Sequence, residues 1–299
     1  YTQKGFYMWI ADHWKDYEIL DAGDGMKLER WKNVILSRPD PQAIWKPVRP
    51  DLWKQANAKY NRSKTGGGSW SFYKNLPPKW TIEYGSLKFY IEPTGFKHTG
   101  LFPEQAANWD WMRKMISERI SCGRGVKVLN LFGYTGGATI AASAAGAEVC
   151  HVDASKGMVA RARENAELTG LSGNVIRYIV DDAFKFVARE LRRGNTYDAV
   201  IMDPPSYGRG PNGEVWKLED QLFDFTGECM CLLSSSPLFF LLNSYTTGFS
   251  SSVTANILRM HFKAGSKGHI DHGDILLPIS SMEGTFLPCG SYAAWKSDV

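Results

Sequence analysis

From Val126 onward, short apolar runs alternate with amphipathic stretches. "VKVLNLF" leads into "GGATIAASAAG", "EVCHVDAS" into "KGMVARARENAELTG", and "VIRYIVDDA" into "FKFVARELRRG". "YDAVIMDPP" then precedes "LEDQLFDFTGECMCLLS", and "PLFFLLNSY" supplies a fifth apolar run. Short apolar runs of this kind read as buried strands, and the longer stretches between them as helices. Strands joined by such helices need right-handed crossovers, so the pattern predicts a parallel sheet covered on both faces. "DILLPISSMEGTFLPCGSYAAWKS" adds two last strands with a loop between them. The expected fold class is α/β, a doubly wound, seven-stranded Rossmann-like sheet.

The pattern before Val126 is different. "YEILDAGDGMKLERWKNVILS" alternates apolar and polar residues around Gly23-Asp24-Gly25 and predicts a hairpin or small meander. "RPDPQAIWKPVRP" is too rich in proline for regular structure and reads as a connection. "NAKYNRSKTGGGSWS", with Gly66, Gly67 and Gly68 in a row, reads as a flexible loop. Two strands are expected near Trp80–Tyr84 and Leu87–Ile91. A helix is expected over "PEQAANWDWMRKMISERI", where Ala107, Trp111, Met115 and Ile116 fall at helical spacing. The organisation expected is a small β-rich N-terminal domain over 1–75, a candidate substrate-binding part, and a second domain over 76–299 whose lead-in strands and helix occupy 76–120.

Composition narrows the class. With 43% hydrophobic and 22% charged residues the 299-residue chain has a globular balance. Its longest apolar runs fall short of the ~20 residues that cross a bilayer, so no membrane role is expected. No signal-peptide pattern follows Tyr1. Cys122, Cys150, Cys229, Cys231 and Cys289 are odd in number and scattered, and Cys229-x-Cys231 lacks the second pair that a zinc site needs. A cytoplasmic, reduced, metal-free protein is the expectation. Charge is uneven: residues 1–120 carry 19 Lys and Arg against 13 Asp and Glu, the remainder 16 against 18. Nine of the eleven tryptophans also lie in the first 120 residues. Basic charge mixed with aromatic rings suits a surface that grips phosphates and stacks bases. A small β-rich domain using tryptophan for its core is the alternative.

The candidate chemistry sits at the strand ends. After the first strand, "FGYTGG" offers Gly133, Gly136 and Gly137, a turn through which backbone can approach a ligand and present helix N-terminal amides. Asp153 closes the second strand, where a carboxylate can accept both hydroxyls of a ribose. These features suit a nicotinamide dinucleotide or S-adenosylmethionine. The spacing G-x-x-G-G, with Tyr134 and Thr135 in between, departs from the dinucleotide pattern G-x-G-x-x-G. Asp182 ends the third strand, placed to accept from an adenine amine beside the Ala183 N–H, while its neighbour Asp181 points the other way. The fourth strand ends in "DPPSY", where two prolines remove donors and leave carbonyls free to accept. Asp203, those carbonyls and Tyr207 would clamp a flat substrate bearing an amine or a ring edge.

From about Trp80 to the end, these motifs together resemble the class I S-adenosylmethionine-dependent methyltransferases. Within that class the chain is most similar to the bacterial 23S ribosomal RNA large-subunit methyltransferases of the 5-methylcytosine group and their relatives. "VLNLFGYTGGATIAA" resembles the family's cofactor turn, "VDASKGMVARARENAELTGL" its ribose motif, "DDAFKFV" its adenine segment and "DPPSYGRG" its catalytic motif. "GLFPEQAANWDWM" resembles the stretch that leads into the catalytic domain. The resemblance implies S-adenosyl-L-methionine as cofactor. It implies a cofactor set of Thr99, Phe102, Gln105, Phe132, Gly133, Tyr134, Thr135, Gly136, Asp153, Ala154, Asp182, Ala183 and Asp203. Asp203, Pro204 and Tyr207 would be catalytic, and RNA, ribosomal RNA in particular, the partner. One departure matters: the 5-methylcytosine enzymes carry a cysteine after the fifth strand, where this chain has Asn243, Ser244, Tyr245, Thr246 and Thr247. Without that thiolate, a base nitrogen is the expected acceptor. Methylation of a protein or small molecule, a Rossmann oxidoreductase, and an RNA-binding protein with a relic cofactor site are the competing readings.

Overall fold

The computed structural model describes residues 9–63, 67–95, 98–209, 215–246, 248–262 and 267–298; Gly66 and Thr247, singled out above, lie outside them. The chain forms two compact units. One comprises Trp9–Ala107 with Ile275–Cys289, the other Asn108–Asp274 with Gly290–Val299.

In the N-terminal unit, β1 (Trp9–Ile10) is followed by β2 (Tyr17–Gly23), β3 (Met26–Trp31) and β4 (Val34–Pro39). This is the expected meander, and Asp24 (φ 52°) with Gly25 (φ 73°) makes the left-handed two-residue turn that matches strand twist. The proline-rich connection holds one helical turn, α1 (Pro50–Trp53), opened by Pro50. Next come β5 (Ala58–Arg62) and β6 (Gly68–Phe72), antiparallel partners where the sequence pattern suggested a flexible loop. Gly68 pairs with Arg62 in this strand, and a Cβ there would stand 2.7 Å from the Tyr60 ring, so the pairing needs bare backbone. The five-stranded sheet runs β2-β3-β4-β5-β6, with β6 at its edge, and β7 (Trp80–Tyr84) and β8 (Leu87–Ile91) form a separate hairpin as expected. Trp31, Leu28, Leu36, Ile82 and Phe89 are fully buried. Glu29, also fully buried, accepts from Arg38 Nε at 2.6 Å and Nη2 at 2.8 Å and from the Tyr17 hydroxyl at 2.6 Å.

The remaining elements are α2 (Ala106–Ser121), β9 (Lys127–Leu131), α3 (Gly137–Ala144), β10 (Glu148–Asp153), α4 (Lys156–Thr169), β11 (Ile176–Val180), α5 (Ala183–Arg193) and β12 (Ala199–Met202). They continue with β13 (Tyr207–Arg209), β14 (Val215–Lys217), α6 (Leu218–Met230), β15 (Phe239–Ser244), α7 (Ser251–His261), β16 (Gly268–Pro278) and β17 (Phe286–Ser297). The large sheet has the order β1-β16-β17-β15-β12-β9-β10-β11. Strands β11, β10, β9, β12 and β15 are parallel, and β17 runs antiparallel to β15. The seven expected strands are present, and the two-residue β1 adds an eighth beside Ile275 and Leu276. Each of the four gaps between consecutive parallel strands carries a helix, as the crossover rule requires. Helix α2 buries Trp109, Met112 and Ile116; Trp111 and Met115, read above as its apolar stripe, are only partly covered. Helix α7 and the β13–β14 hairpin were not expected from the pattern.

Candidate functional site

Strand order reverses between β9 and β12, and the carboxyl ends of β10, β9, β12 and β15 therefore surround one switch point. The chain leaves β9 through an unusual turn. Phe132 (φ 57°), Tyr134 (φ 49°) and Gly136 (φ 87°) are all left-handed. For the two aromatic residues this costs on the order of 1 kcal/mol each, strain of the kind that concentrates at functional sites. The glycines have internal reasons that the motif alone did not reveal. A Cβ on Gly133 would stand 2.5 Å from Nδ1 of His151, and one on Gly136 would stand 2.8 Å from the Ala162 Cβ on α4. Bare backbone is thus needed at both positions for the protein's own packing.

Beneath the turn runs a buried polar chain. Asn130 donates to Thr139 Oγ1 at 2.9 Å, and that hydroxyl lies 2.8 Å from Nδ1 of His151. Burial lowers the His151 pKa to about 4, so the ring is neutral at physiological pH. Asn165 donates from α4 to the Thr135 carbonyl at 3.0 Å, fixing the turn from its other side. The sequence signal for His151 was a lone polar residue inside the apolar run "EVCHVD".

Asp153 closes β10 and accepts two backbone N–H groups, Tyr134 at 2.9 Å and Ser155 at 2.8 Å. One oxygen is bound to each donor, which leaves each oxygen a further lone pair. Burial raises its pKa, partly offset by those two backbone bonds. Ala154 follows, exposed. At the end of β11, Asp182 caps α5 by accepting from Lys185 N at 3.0 Å, and Ala183 opens that helix, where first-turn N–H groups have no intrahelical partner. Asp181 is committed elsewhere, to an ion pair with Arg189 and to the Asp182 N–H at 2.9 Å.

Asp203 and Pro204 follow β12, with Pro204 buried and Asp203 partly so. The expectation that both proline carbonyls stay free needs correcting. The Pro205 carbonyl accepts from Trp216 Nε1 on β14, which leaves Pro204 to present one. Trp216 packs on Phe184 at 5.0 Å and on Phe132 at 6.2 Å, giving the site an aromatic base that the motifs missed. Tyr207 begins the hairpin, opposite Lys217, with its side chain half-exposed. Thr246, beyond β15, donates to Ser206 Oγ at 2.6 Å, and Asn243 accepts from Asn108 at 2.9 Å. Thr99, Phe102 and Gln105 belong to the N-terminal unit, where Phe102 caps the Pro103–Gln105 turn and Thr99 is fully buried.

The cysteines stand away from these ends. Cys229 is buried, with its pKa pushed far up by desolvation, and Cys231 directly follows α6 on the approach to the amino end of β15. Cys150 lies within β10, and burial raises its pKa to about 11. Among the described residues no cysteine occurs at the carboxyl end of β15, no cluster of His, Cys, Asp or Glu could hold a metal ion, and no helix is long and apolar enough to cross a membrane.

Fold and strand ends together define a Rossmann-like α/β domain whose glycine turn and strand-end acids gather at the switch point. Residues 63–216 match the family model of S-adenosylmethionine-dependent methyltransferases. The crystal structure of an S-adenosylmethionine-dependent methyltransferase from Agrobacterium tumefaciens aligns with a TM-score of 0.90 at 37% identity, over 96% of this chain and 92% of that one. A putative ribosomal RNA large subunit methyltransferase of Methanocaldococcus jannaschii is 36% identical over 43% of this chain. The ribosomal RNA large subunit methyltransferase K/L of Shewanella baltica is 33% identical over 52% of it. The chain spans only 31% and 20% of the lengths of those two relatives. This chain belongs to the S-adenosylmethionine-dependent methyltransferase family, and its cofactor is S-adenosylmethionine. The donor set fits that group: a carboxylate with open lone pairs beside a glycine turn, a second strand-end carboxylate, and an aromatic base.

Proposed function

We propose that the chain methylates a nitrogen of an RNA base, with ribosomal RNA of the large subunit as the RNA class. S-adenosylmethionine supplies a methyl group already activated by its sulfonium. The protein's part is therefore to position and to complement charge. Asp153 accepts the ribose hydroxyls, and the Phe132–Gly136 turn brings backbone to the cofactor. Asp182 accepts from the adenine amine beside the Ala183 N–H. Asp203 and the Pro204 carbonyl would orient the attacking nitrogen, and the Tyr207 ring would stack on the base. The N–CH3 bond would form as the sulfonium C–S bond breaks, the neutral thioether S-adenosylhomocysteine leaving. A base within a helix must first leave the stack.

The observation that carries the nitrogen reading is the end of β15, with Ser244, Tyr245 and Thr246 where a thiolate would be needed. Cytosine C5 reacts only after a nucleophile adds at C6, and a hydroxyl without an adjacent base is too weakly acidic for that role. A base nitrogen needs no such addition. The relatives' names support ribosomal RNA as substrate. RNA carrying 5-fluorocytosine tests the chemistry: no protein–RNA adduct should survive a denaturing gel. A stable adduct would overturn the nitrogen reading. Asp203→Ala should abolish transfer while S-adenosylmethionine still binds, and retained transfer would remove Asp203 from the reaction.

A further inference from the structure

Residues 52–82 hold Lys54, Lys59, Arg62, Lys64, Lys74 and Lys79 and not one Asp or Glu. This stretch alone carries more positive charge than the whole chain's net +4. It contains β5 and β6, and β6 is the edge of the five-stranded sheet. Aromatic rings stand on the same hairpin. Phe72 is 58% exposed and Tyr73 60%, values that a ring recruited for core packing does not reach. Trp70 and Phe72 share one strand face, with ring centroids 6.4 Å apart and planes 28° from parallel. The mount is rigid: Trp70 Nε1 donates to the Thr94 carbonyl at 2.8 Å, and the Tyr60 ring packs edge-on against Trp70 at 5.3 Å. Ser69 and Ser71 lie on the other face, with Lys59 opposite Ser71, and Tyr73 follows directly after the strand. Arg62 sits opposite Gly68. Among the described residues, no carboxylate pairs with Lys59 or Arg62.

We infer that the β5–β6 hairpin is a docking platform for single-stranded RNA, a step that rests on the RNA reading above. Exposed rings next to the cationic side chains of a neighbouring strand can grip a single strand by stacking on its bases and neutralising its phosphates. Every base has a stacking face, so the grip is tolerant of sequence. Pairing of the open edge with a second copy or another protein is the competing use of such a strand. Lys59 and Arg62 on the adjoining β5 and Lys74 just past β6 place charge beside that edge, which discourages such pairing.

Anisotropy titrations of the full chain with labelled oligouridine, at several salt concentrations, test the platform. The double variant Phe72→Ala/Tyr73→Ala should weaken binding at least about tenfold with little change in salt dependence. Lys59→Gln/Arg62→Gln should instead lower the slope of log affinity against log salt by about 1.4, as expected for two phosphate contacts on a single strand. Both variants should bind S-adenosylmethionine like the unmodified protein in calorimetry. Unchanged oligouridine affinity and slope in both would overturn the platform. So would a dimer, seen by sedimentation, that the aromatic variant abolishes while RNA affinity stays the same. If the unmodified protein binds no RNA, the RNA reading falls as well; if it binds and only the variants fail to differ, the hairpin assignment alone falls.

Discussion

Glu29 in the N-terminal unit and Asp153 in the doubly wound unit are both carboxylates drawn out of water, and their surroundings differ in kind. Glu29 is met by cations. Burial pushes its pKa up, but Arg38 and Lys27 outweigh that and hold it at about 2. Its oxygens are taken by Arg38 and the Tyr17 hydroxyl, with Lys27 3.7 Å away. Asp153 meets only neutral backbone donors, and burial keeps its pKa raised. A carboxylate closed off by full charges is a structural part. One held in place by two amides keeps lone pairs that the protein's own donors do not use, which is the ground for proposing it as a ligand acceptor.

The largest effect should come from opening the closed site. Arg38→Met leaves Glu29 buried without its main partner and should destabilise the protein by about 3–5 kcal/mol. Urea unfolding would read this, and a change below about 1 kcal/mol would show that Glu29 is not held by charge. Acid should separate the two units next. His151 has a folded pKa of about 4 against an ordinary 6.5, so the unfolded chain takes up its proton first. The stability this provides is complete above pH 6.5 and is lost as pH falls through 4, about 3 kcal/mol in all. Glu29, depressed from 4.5 to about 2, gives stability that is present above pH 4.5 and lost as pH falls through 2. Thermal unfolding between pH 7 and 4 should therefore weaken the doubly wound unit first, and His151→Gln should flatten that dependence.

Asp153→Ala comes third, with a loss of about 2–3 kcal/mol in cofactor affinity, roughly a hundredfold. Calorimetry giving unchanged affinity would make Asp153 structural like Glu29. Smallest of all should be Cys229→Ala and Cys231→Ala, which leave the rate of methyl transfer nearly unchanged. A marked fall in that rate would mean that a thiol takes part in the chemistry.

Legibility in the sequence also divides along this line. The central parallel strands were plain because both their faces are buried, leaving near-continuous apolar runs such as "AVIM" and "FFLLNS". The edge hairpin β5–β6 was hidden because its sequence mixes Asn, Ser and Lys with three consecutive glycines, the residues of a loop. Helix α7 was obscured by Val253 and Met260, 40% and 72% exposed, which blur its apolar stripe, and by a start without a side-chain cap. At the candidate site, Asp153, Asp182 and Asp203 were legible as strand-end acids. The motif could not reveal that Gly133 makes room for His151 or that Trp216 takes the Pro205 carbonyl, because both depend on contacts between segments distant in sequence.

The most direct test of the account follows the methyl group itself. The protein is incubated with ribosomal RNA and S-adenosylmethionine carrying a labelled methyl group, and the RNA is digested to nucleosides for mass spectrometry. The account predicts label in one nucleoside methylated at a base nitrogen, and none when Asp203→Ala replaces the unmodified protein. Label in 5-methylcytosine, or no label in RNA at all, would contradict it.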